Sequence, residues 1–230
     1  MNHYLVAANR PWHRELFIER TRLLPGEWKF VSSKEELTDE IIQSFRPRYI
    51  FFPHWSHIVP ERIWKSAECV CFHMTDLPYG RGGSPLQNLI VRKHERTKLS
   101  AFRMVQELDA GPIYGKQDLS MGGSAQDIYR RAGVLTWDMI ETIVRTNPEP
   151  VPQQGQITVF PRRTPQDGNL TQAQDLAETY DYIRMLDAEG YPPAFLEIGS
   201  LIYEFTEAKR VGDRIVAHVS IRNMEKSESK

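Results

Sequence analysis

A histidine follows a predicted buried strand, at a position where a catalytic base could act on a bound ligand. The apolar run Cys69 to Phe72 predicts the strand, and His73 follows it directly. The residues after His73 are too rich in glycine and proline to favour helix or strand, so they predict a loop. Such a strand end lies at the carboxyl edge of the sheet, where open α/β sheets bind their ligands. His73 could move a proton there at neutral pH, or it could be a core histidine that satisfies one hydrogen bond.

An aspartate follows a second predicted strand in a tight turn. The strand covers Leu99 to Val105, and Asp109 lies in the turn formed by residues 108–112. A turn aspartate commonly bonds to its own backbone. If Asp109 reaches His73 instead, it would hold the imidazole tautomer and stabilise the imidazolium.

A metal site is a competing interpretation of the histidines. The spacing of His54 and His57 suits ligands on a helix, but this segment follows a strand and is rich in aromatic residues and proline. The alternative is a loop that packs Trp55 and Ile58 over a pocket, and the sequence predicts no metal on balance. The side chains that would form the metal set are His54, His57, Cys71 and His73.

The segment after the first strand could bind an anion. It contains Asn9, Arg10 and Trp12, and Pro11 occupies a favoured first position of a helix. An amide, a cation and an aromatic ring at a helix N-terminus would suit a nucleotide diphosphate. An ordinary helix start explains the same residues equally well.

Alternating strand and helix patterns position these candidates. They predict an α/β fold with a Rossmann-like, mainly parallel sheet, an antiparallel edge and a small α+β region near the carboxyl terminus. A capping box of Ser33 and Glu36 predicts a helix that runs to Phe45. A proline-rich linker at 147–152 divides the chain. The expected units are a catalytic domain at 1–150, a small α+β region at 151–225 and a disordered tail at 226–230.

Composition limits the classes of partner. Lys and Arg total 29 against 30 for Asp and Glu, so the net charge is −1 and no basic excess points to nucleic acid. No apolar run approaches membrane-spanning length, which predicts no membrane partner. Cys69 and Cys71 have poor geometry for a disulfide, and free thiols without a signal peptide predict a cytoplasmic protein.

Two motifs together resemble a known enzyme family. The run from Cys71 to Pro78, followed by Arg81-Gly82 and Pro85, resembles the family pattern Asn-x-His-x-Ser-Leu-Leu-Pro, Arg-Gly and Pro. The turn Leu108-Asp109-Ala110-Gly111 resembles the family's Leu-Asp-x-Gly turn. The family is that of the N10-formyltetrahydrofolate-dependent formyltransferases, and the match is good over about residues 45 to 130. One departure is Cys71, which occupies the position of the family's asparagine, since a thiol is a weak hydrogen-bond donor.

The resemblance implies an activity and a set of contacts. A free amine would attack the formyl carbon of N10-formyltetrahydrofolate, His73 would remove a proton and stabilise the oxyanion, and Asp109 would orient His73. The position of Cys71 would face the formyl oxygen. The folate would contact Phe52, His54, Trp55, Ile58, Leu108 and Asp109.

Within the family, the chain looks most like the sugar N-formyltransferases. The implied acceptor is a 4-amino-4,6-dideoxy sugar linked to UDP or TDP, with the pseudaminic acid route as one option. The substrate contacts implied by this subgroup are Asn9, Arg10, Trp12, Thr75, Tyr79, Arg81, Gly82 and Gly83.

Two other functions and one assembly state stay open. A hydrolase would use water instead of an amine on the same folate. A non-catalytic nucleotide-sugar-binding protein is the other option, for which Cys71 is the only argument. The terminal strands could pair between two copies, because an unpaired strand edge invites another strand, so a homodimer is one expectation.

Overall fold

The computed structural model of the chain describes residues 1–224, so the tail expected at 226–230 lies outside the described residues. Within this range the chain forms eleven strands, two of them only two residues long. They are β1 (His3–Ala7), β2 (Glu27–Val31), β3 (Tyr49–Phe52), β4 (Glu68–His73), β5 (Arg81–Gly82), β6 (Arg96–Arg103), β7 (Ile113–Ser120), β8 (Val159–Phe160), β9 (Ala194–Ile198), β10 (Leu201–Val211) and β11 (Arg214–Asn223).

Six of these strands form the central sheet in the order β2-β1-β3-β4-β6-β7. The first four are parallel, whereas β6 runs antiparallel to β4, and β7 runs antiparallel to β6. The predicted Rossmann-like sheet with an antiparallel edge is therefore confirmed. Strands β9, β10 and β11 form a separate three-stranded antiparallel sheet, which is the predicted small region near the carboxyl terminus.

Helices cover both faces of the central sheet, as βαβ connections require. One face packs against α1, α4 and α5, and the other packs against α2 and α3. None of the helices described in residues 1–224 has both the length and the apolar character needed to cross a bilayer. The helices are α1 (Pro11–Arg20), α2 (Asp39–Phe45), α3 (Glu61–Ser66), α4 (Pro85–Val91), α5 (Ala125–Thr146) and α6 (Leu176–Arg184).

The helix predicted from Ser33 begins later in the structure. Ser33 Oγ accepts from Glu36 N at 3.3 Å, and the Glu36 carboxylate accepts from Ser32 N at 2.7 Å, so these side chains close a turn. Helix α2 begins at Asp39, where Thr38 Oγ1 accepts from Ile41 N at 3.2 Å. The two cap signals lie close together, and only the second precedes an apolar face that packs on the sheet.

The glycine-rich stretch after His73 contains more regular structure than its composition predicts. Strand β5 pairs in parallel with β8, which lies beyond the linker, and α4 begins at Pro85. The expectation that this stretch excludes helix and strand was therefore wrong at its carboxyl end. The pairing with β8 is a long-range contact that no local pattern could indicate.

The strand order predicts a ligand crevice at the carboxyl edge of the sheet. Strands β1 and β3 are neighbours, but α1 leaves β1 toward one face and α3 leaves β3 toward the other. Such a switch in crossover direction opens a crevice outside the strand ends. His73 ends β4, the next strand along, so it lies beside this crevice.

Candidate active site

His73 is the last residue of β4, and its ring is held by a backbone carbonyl. It is 9% exposed, and its Nε2 lies 2.8 Å from Gly80 O. A carbonyl oxygen can only accept, so a neutral His73 must carry its proton on Nε2. Thr75 Oγ1 also donates to Gly80 O, at 3.3 Å. The loop that follows the strand thus fixes the tautomer and leaves Nδ1 with a lone pair.

Asp109 reaches the free side of the His73 ring. Its turn joins β6 to β7, and Asp109 adopts a left-handed φ of 54°, which aspartate tolerates better than most residues. Asp109 Oδ2 accepts from Gly82 N at 2.9 Å and lies 3.8 Å from His73 Nδ1. The structure thus brings together His73 and Asp109, with their side chains 10% and 13% exposed.

The group that fixes the tautomer of His73 is not the expected one. We expected Asp109 to hold the tautomer, but the 3.8 Å separation is too long for a hydrogen bond. The Gly80 carbonyl holds it instead, from the opposite side of the ring. Asp109 and Nδ1 face each other across a gap, so a reacting group that met Nδ1 would also meet the carboxylate.

Cys71 shares a strand and a face with His73, because side chains two apart on a strand point the same way. It packs beside Leu77, Phe102 and Ile113. Burial raises the pKa of the Cys71 thiol well above its usual range, and Cys69 and Asp109 raise it further. The thiol is therefore neutral, neither a nucleophile nor a strong donor.

The amide of Asn88 does not replace the missing family asparagine. Asn88 Nδ2 donates to Gly83 O at 3.0 Å and to Pro161 O at 2.8 Å. These contacts fasten α4 to the segment after β8 and use the protons of the amide within the protein.

Several residues expected to contact substrate are engaged within the protein. Thr75 is fully buried, and Tyr79 OH bonds to His94 Nε2 at 3.0 Å. Arg81 is 8% exposed, and its guanidinium donates to Gln153 and Glu107. Gly83 lies so close to Arg162 that a Cβ would be 2.6 Å from its Cα. Gly82 donates its N–H to Asp109. Thr75, Tyr79 and Arg81 therefore support the site through contacts within the protein and do not present free side chains to a substrate.

The residues expected to contact folate occupy two different places. Phe52 is buried in β3, and the Trp55 ring packs against it with centroids 6.0 Å apart. Ile58 is 96% exposed and Leu108 is 69% exposed, so both offer apolar surface. Trp55 and Ile58 also line a cleft of about 280 Å³ beside α3. His54 does not line this cleft, and its Nε2 bonds to Tyr191 OH at 3.0 Å.

His54 belongs to a cluster of rings over the end of β1. Tyr129 lies at its centre, with ring centroids 4.4 Å from His54, 5.3 Å from Tyr191 and 6.1 Å from Trp12. Arg10 stacks its guanidinium over Tyr191, 4.8 Å from the centroid, and donates to Glu189 O. Sequence reasoning missed Tyr129 and Tyr191, because both come from distant parts of the chain.

Asn9 and Trp12 keep unused polar atoms beside this cluster. Asn9 Nδ2 donates to Ser56 Oγ at 2.7 Å, while Asn9 Oδ1 and Trp12 Nε1 are buried without a hydrogen-bond partner. Of the histidines in the competing metal interpretation, His54 bonds to Tyr191 and His73 to Gly80, so each ring is held by a different partner. Among residues 1–224, no three His, Cys, Asp or Glu side chains gather as a metal-ligand set.

Two buried histidines should make stability depend on pH. Burial lowers the pKa of His13 to about 3, and burial with the nearby His13 and Arg10 lowers that of His54 to about 3. An unfolded imidazole takes up its proton near pH 6.5, so between pH 6.5 and 3 only the unfolded state is protonated there. The native state should lose about 1.4 kcal/mol per histidine between pH 7.5 and 5.5. Urea unfolding at both pH values measures this loss.

His13→Gln supplies the control for that experiment. It removes one of the two titrating groups, so the pH-dependent loss should shrink by about half. His218→Gln, at an exposed histidine of β11, should leave the loss unchanged. An unfolding free energy equal at both pH values would contradict the neutral, buried state of His13 and His54.

Comparison with known proteins identifies the family. Residues 165–222 match the model described as the methionyl-tRNA formyltransferase C-terminal domain. A solved structure named methionyl-tRNA formyltransferase from Clostridium thermocellum is 40% identical, with a TM-score of 0.94, covering 97% of this chain and 100% of that one. The chain therefore belongs to the N10-formyltetrahydrofolate-dependent formyltransferase family.

More distant relatives share parts of the chain or its fold. Methionyl-tRNA formyltransferase of Wolinella succinogenes is 25% identical over 84% of this chain, and that of Thermotoga maritima is 34% identical over 40%. The chain covers 64% and 29% of these two relatives' lengths, respectively, less than two thirds of either. A structure titled a likely sugar N-formyltransferase from Mycobacterium tuberculosis shares the fold at 16% identity and a TM-score of 0.70, over 98% of this chain and 100% of that one.

Proposed function

We propose that this protein transfers the formyl group of N10-formyltetrahydrofolate to the amino group of a nucleotide-linked sugar. The observation that carries the proposal is the arrangement of His73, with Nε2 committed to Gly80 O and Nδ1 facing Asp109 at 3.8 Å. This leaves one basic nitrogen beside one carboxylate at the carboxyl edge of the sheet. Such a pair suits removal of a proton from an attacking amine.

The chemistry needs one proton to be held and then passed on. The cosubstrate supplies the formyl group. As the amine nitrogen bonds to the formyl carbon, His73 Nδ1 accepts a proton from that nitrogen. The imidazolium then faces the developing negative charge on the formyl oxygen, and Asp109 stabilises the imidazolium. When the bond from the formyl carbon to the folate nitrogen breaks, the same proton passes to that nitrogen, so no oxidant or reductant is needed.

Exposed apolar side chains after β3 and in the Asp109 turn would suit a folate ring. Ile58 and Leu108 expose apolar side chains, and Trp55 adds an aromatic wall to the cleft beside α3. Apolar walls with a few polar groups are typical of pockets for flat organic ligands. His54 faces the ring cluster over β1 instead, so we assign it to the acceptor side of the crevice.

The names of the relatives favour methionyl-tRNA as a second candidate acceptor, but charge favours a small one. Residues 165–222, which match the tRNA-enzyme domain, carry ten acidic and five basic side chains, a net charge of −5. A surface that binds the phosphate backbone of tRNA needs the opposite sign. A sugar nucleotide needs only a local cation and polar groups, and Arg10, Asn9 and Trp12 offer these beside the crevice. We therefore propose no nucleic-acid partner.

The finer expectations about the sugar, the domains and the compartment stay proposals. We propose a 4-amino-4,6-dideoxy sugar on UDP or TDP, the pseudaminic acid route being one source. We also propose that residues 1–150 form the catalytic domain, although Val151 pairs with Ile113 and β8 pairs with β5. The two free thiols, Cys69 and Cys71, suit the cytoplasm.

One assay with parallel acceptors tests the proposal. The protein is mixed with N10-formyltetrahydrofolate and, separately, UDP- and TDP-linked 4-amino-4,6-dideoxy sugars, methionyl-tRNA or no acceptor. Tetrahydrofolate and formylated product are both quantified. We expect equal amounts of tetrahydrofolate and formylated sugar. Turnover with methionyl-tRNA alone would overturn the sugar assignment, and formate release without any acceptor would indicate a hydrolase. Absence of all turnover would leave the non-catalytic alternative.

The neutral thiol of Cys71 should contribute little to the reaction. Removing a true oxyanion donor typically costs about 10²- to 10³-fold in kcat. Because the Cys71 thiol is a weak donor, we expect Cys71→Ala to lower kcat by less than about 3-fold. The matched control is Cys69→Ala, the other thiol on this strand. A loss above about 100-fold in Cys71→Ala alone would show that the thiol holds the formyl oxygen.

A further inference from the structure

We propose that Gln153 is a positioning residue that fixes Asp109 against His73; this rests on the proposed function. Gln153 Nε2 donates one hydrogen bond to Asp109 O at 2.7 Å and another to Gly111 O at 2.9 Å. Both protons of the amide are thereby used on the main chain of the turn that carries Asp109. The sequence places Gln153 directly after the proline-rich linker at 147–152, with no local sign of such a role.

The oxygen of the same amide ties this turn to a second element of the site. Gln153 Oε1 accepts from Arg81 Nε at 3.1 Å and from Arg81 Nη2 at 2.9 Å. The two turn carbonyls can only accept hydrogen bonds and the Arg81 guanidinium can only donate them. The Gln153 amide therefore has one possible orientation, with its nitrogen toward the turn and its oxygen toward Arg81. Arg81 lies in β5, next to Gly82, whose N–H donates to the Asp109 carboxylate. Gln153 therefore holds the main chain of Asp109, while β5 holds its side chain.

The linker that leads into Gln153 is itself anchored. Val151 and Ile113 exchange two backbone hydrogen bonds of 2.7 and 2.9 Å, two residues before Gln153 and at the start of β7. The turn has no spare room, since a Cβ on Gly111 would lie 1.6 Å from Arg103 O. A rigid linker and a tight turn are therefore joined through one side chain.

Gln153→Ala should impair the chemical step more than substrate binding. It leaves two turn carbonyls without their donor and lets Asp109 move relative to His73. Since misplacement of a catalytic group by about 1 Å can cost up to about 10²-fold, we expect kcat to fall about tenfold, with KM changed less than about 3-fold. Gln154→Ala is the matched control, because Gln154 is the neighbouring, exposed residue of the same type. It should keep the wild-type kcat.

A double-mutant cycle separates positioning from general damage. If Gln153 acts through Asp109, Gln153→Ala should cost less than about 2-fold in kcat when added to Asp109→Asn. An equal tenfold cost in both backgrounds, or an equal loss in Gln154→Ala, would overturn the proposal.

Amide hydrogen exchange is a second measurement, and it needs no substrate. Its result therefore does not depend on the proposed activity. The amide of Gly82 donates to the Asp109 carboxylate, so its hydrogen exchange reports whether Asp109 is held in place. In Gln153→Ala this exchange should accelerate about tenfold, while exchange of the buried Ile50 amide in β3 stays unchanged. Unchanged Gly82 exchange would overturn the positioning role even if no acceptor were found. Faster Gly82 exchange without any turnover would contradict the proposed function alone.

Discussion

Replacing His73 with asparagine should lower kcat for formyl transfer by about 10³- to 10⁴-fold. Proton transfer by a positioned histidine contributes about 10²- to 10⁴-fold, and the imidazolium also faces the developing oxyanion. Asparagine is too short to replace the His73 Nε2 contact with Gly80 O at 2.8 Å, but Thr75 Oγ1 still donates to that carbonyl at 3.3 Å, so the loop should keep its shape. Asparagine offers no basic nitrogen. Steady-state kinetics with the sugar acceptor would show a large fall in kcat and little change in KM.

A second histidine of the same region provides the control. His94 bonds to Tyr79 OH at 3.0 Å and takes no part in the proposed chemistry. His94→Asn should keep kcat within about 3-fold of wild type, while His73→Asn should unfold at a similar temperature to wild type. If His73→Asn retained more than about a tenth of wild-type kcat, His73 would not be the base.

Local signals in the sequence indicated the two residues on which the proposed site rests, and the family resemblance joined them. His73 follows an apolar run that forms β4, and Asp109 lies in a turn between β6 and β7. A strand end and a turn are both visible in residue types, and the sheet order then brings them together. The antiparallel edge was predictable for the same reason, because β6 and β7 are consecutive strands joined by that turn.

The groups that hold His73 and Asp109 could not be found in this way. Gly80 acts through its carbonyl, which every residue has, so its type carries no signal. Gln153 and Tyr191 reach the crevice from segments far away in the chain, through contacts that depend on the complete fold. The mistaken helix start at Ser33 has a related cause, because a capping box looks the same whether it opens a helix or closes a turn.

Asp109→Asn should have the second largest effect, a fall in kcat of about 10²-fold. The amide oxygen can still accept from Gly82 N in the place of Oδ2, the same oxygen that lies 3.8 Å from His73 Nδ1, so the turn keeps its geometry and loses only its charge. The imidazolium then loses its negative neighbour. At 3.8 Å and an effective dielectric constant near 20, opposite charges attract by about 4 kcal/mol, which limits the loss to about 10³-fold. Single-turnover rates with saturating folate and sugar would measure it.

The size of this loss also tests which group fixes the tautomer of His73. In the serine-protease triad the aspartate fixes the tautomer, and its replacement by asparagine costs about 10⁴-fold. In this protein the Gly80 carbonyl bonds to Nε2 and Asp109 lies beyond hydrogen-bond distance from Nδ1, so the smaller loss is expected. Asp118→Asn, at an exposed aspartate of β7, is the matched control and should leave the rate unchanged. A loss in Asp109→Asn as large as that in His73→Asn would mean that Asp109, and not Gly80, sets the protonation of the ring during the reaction.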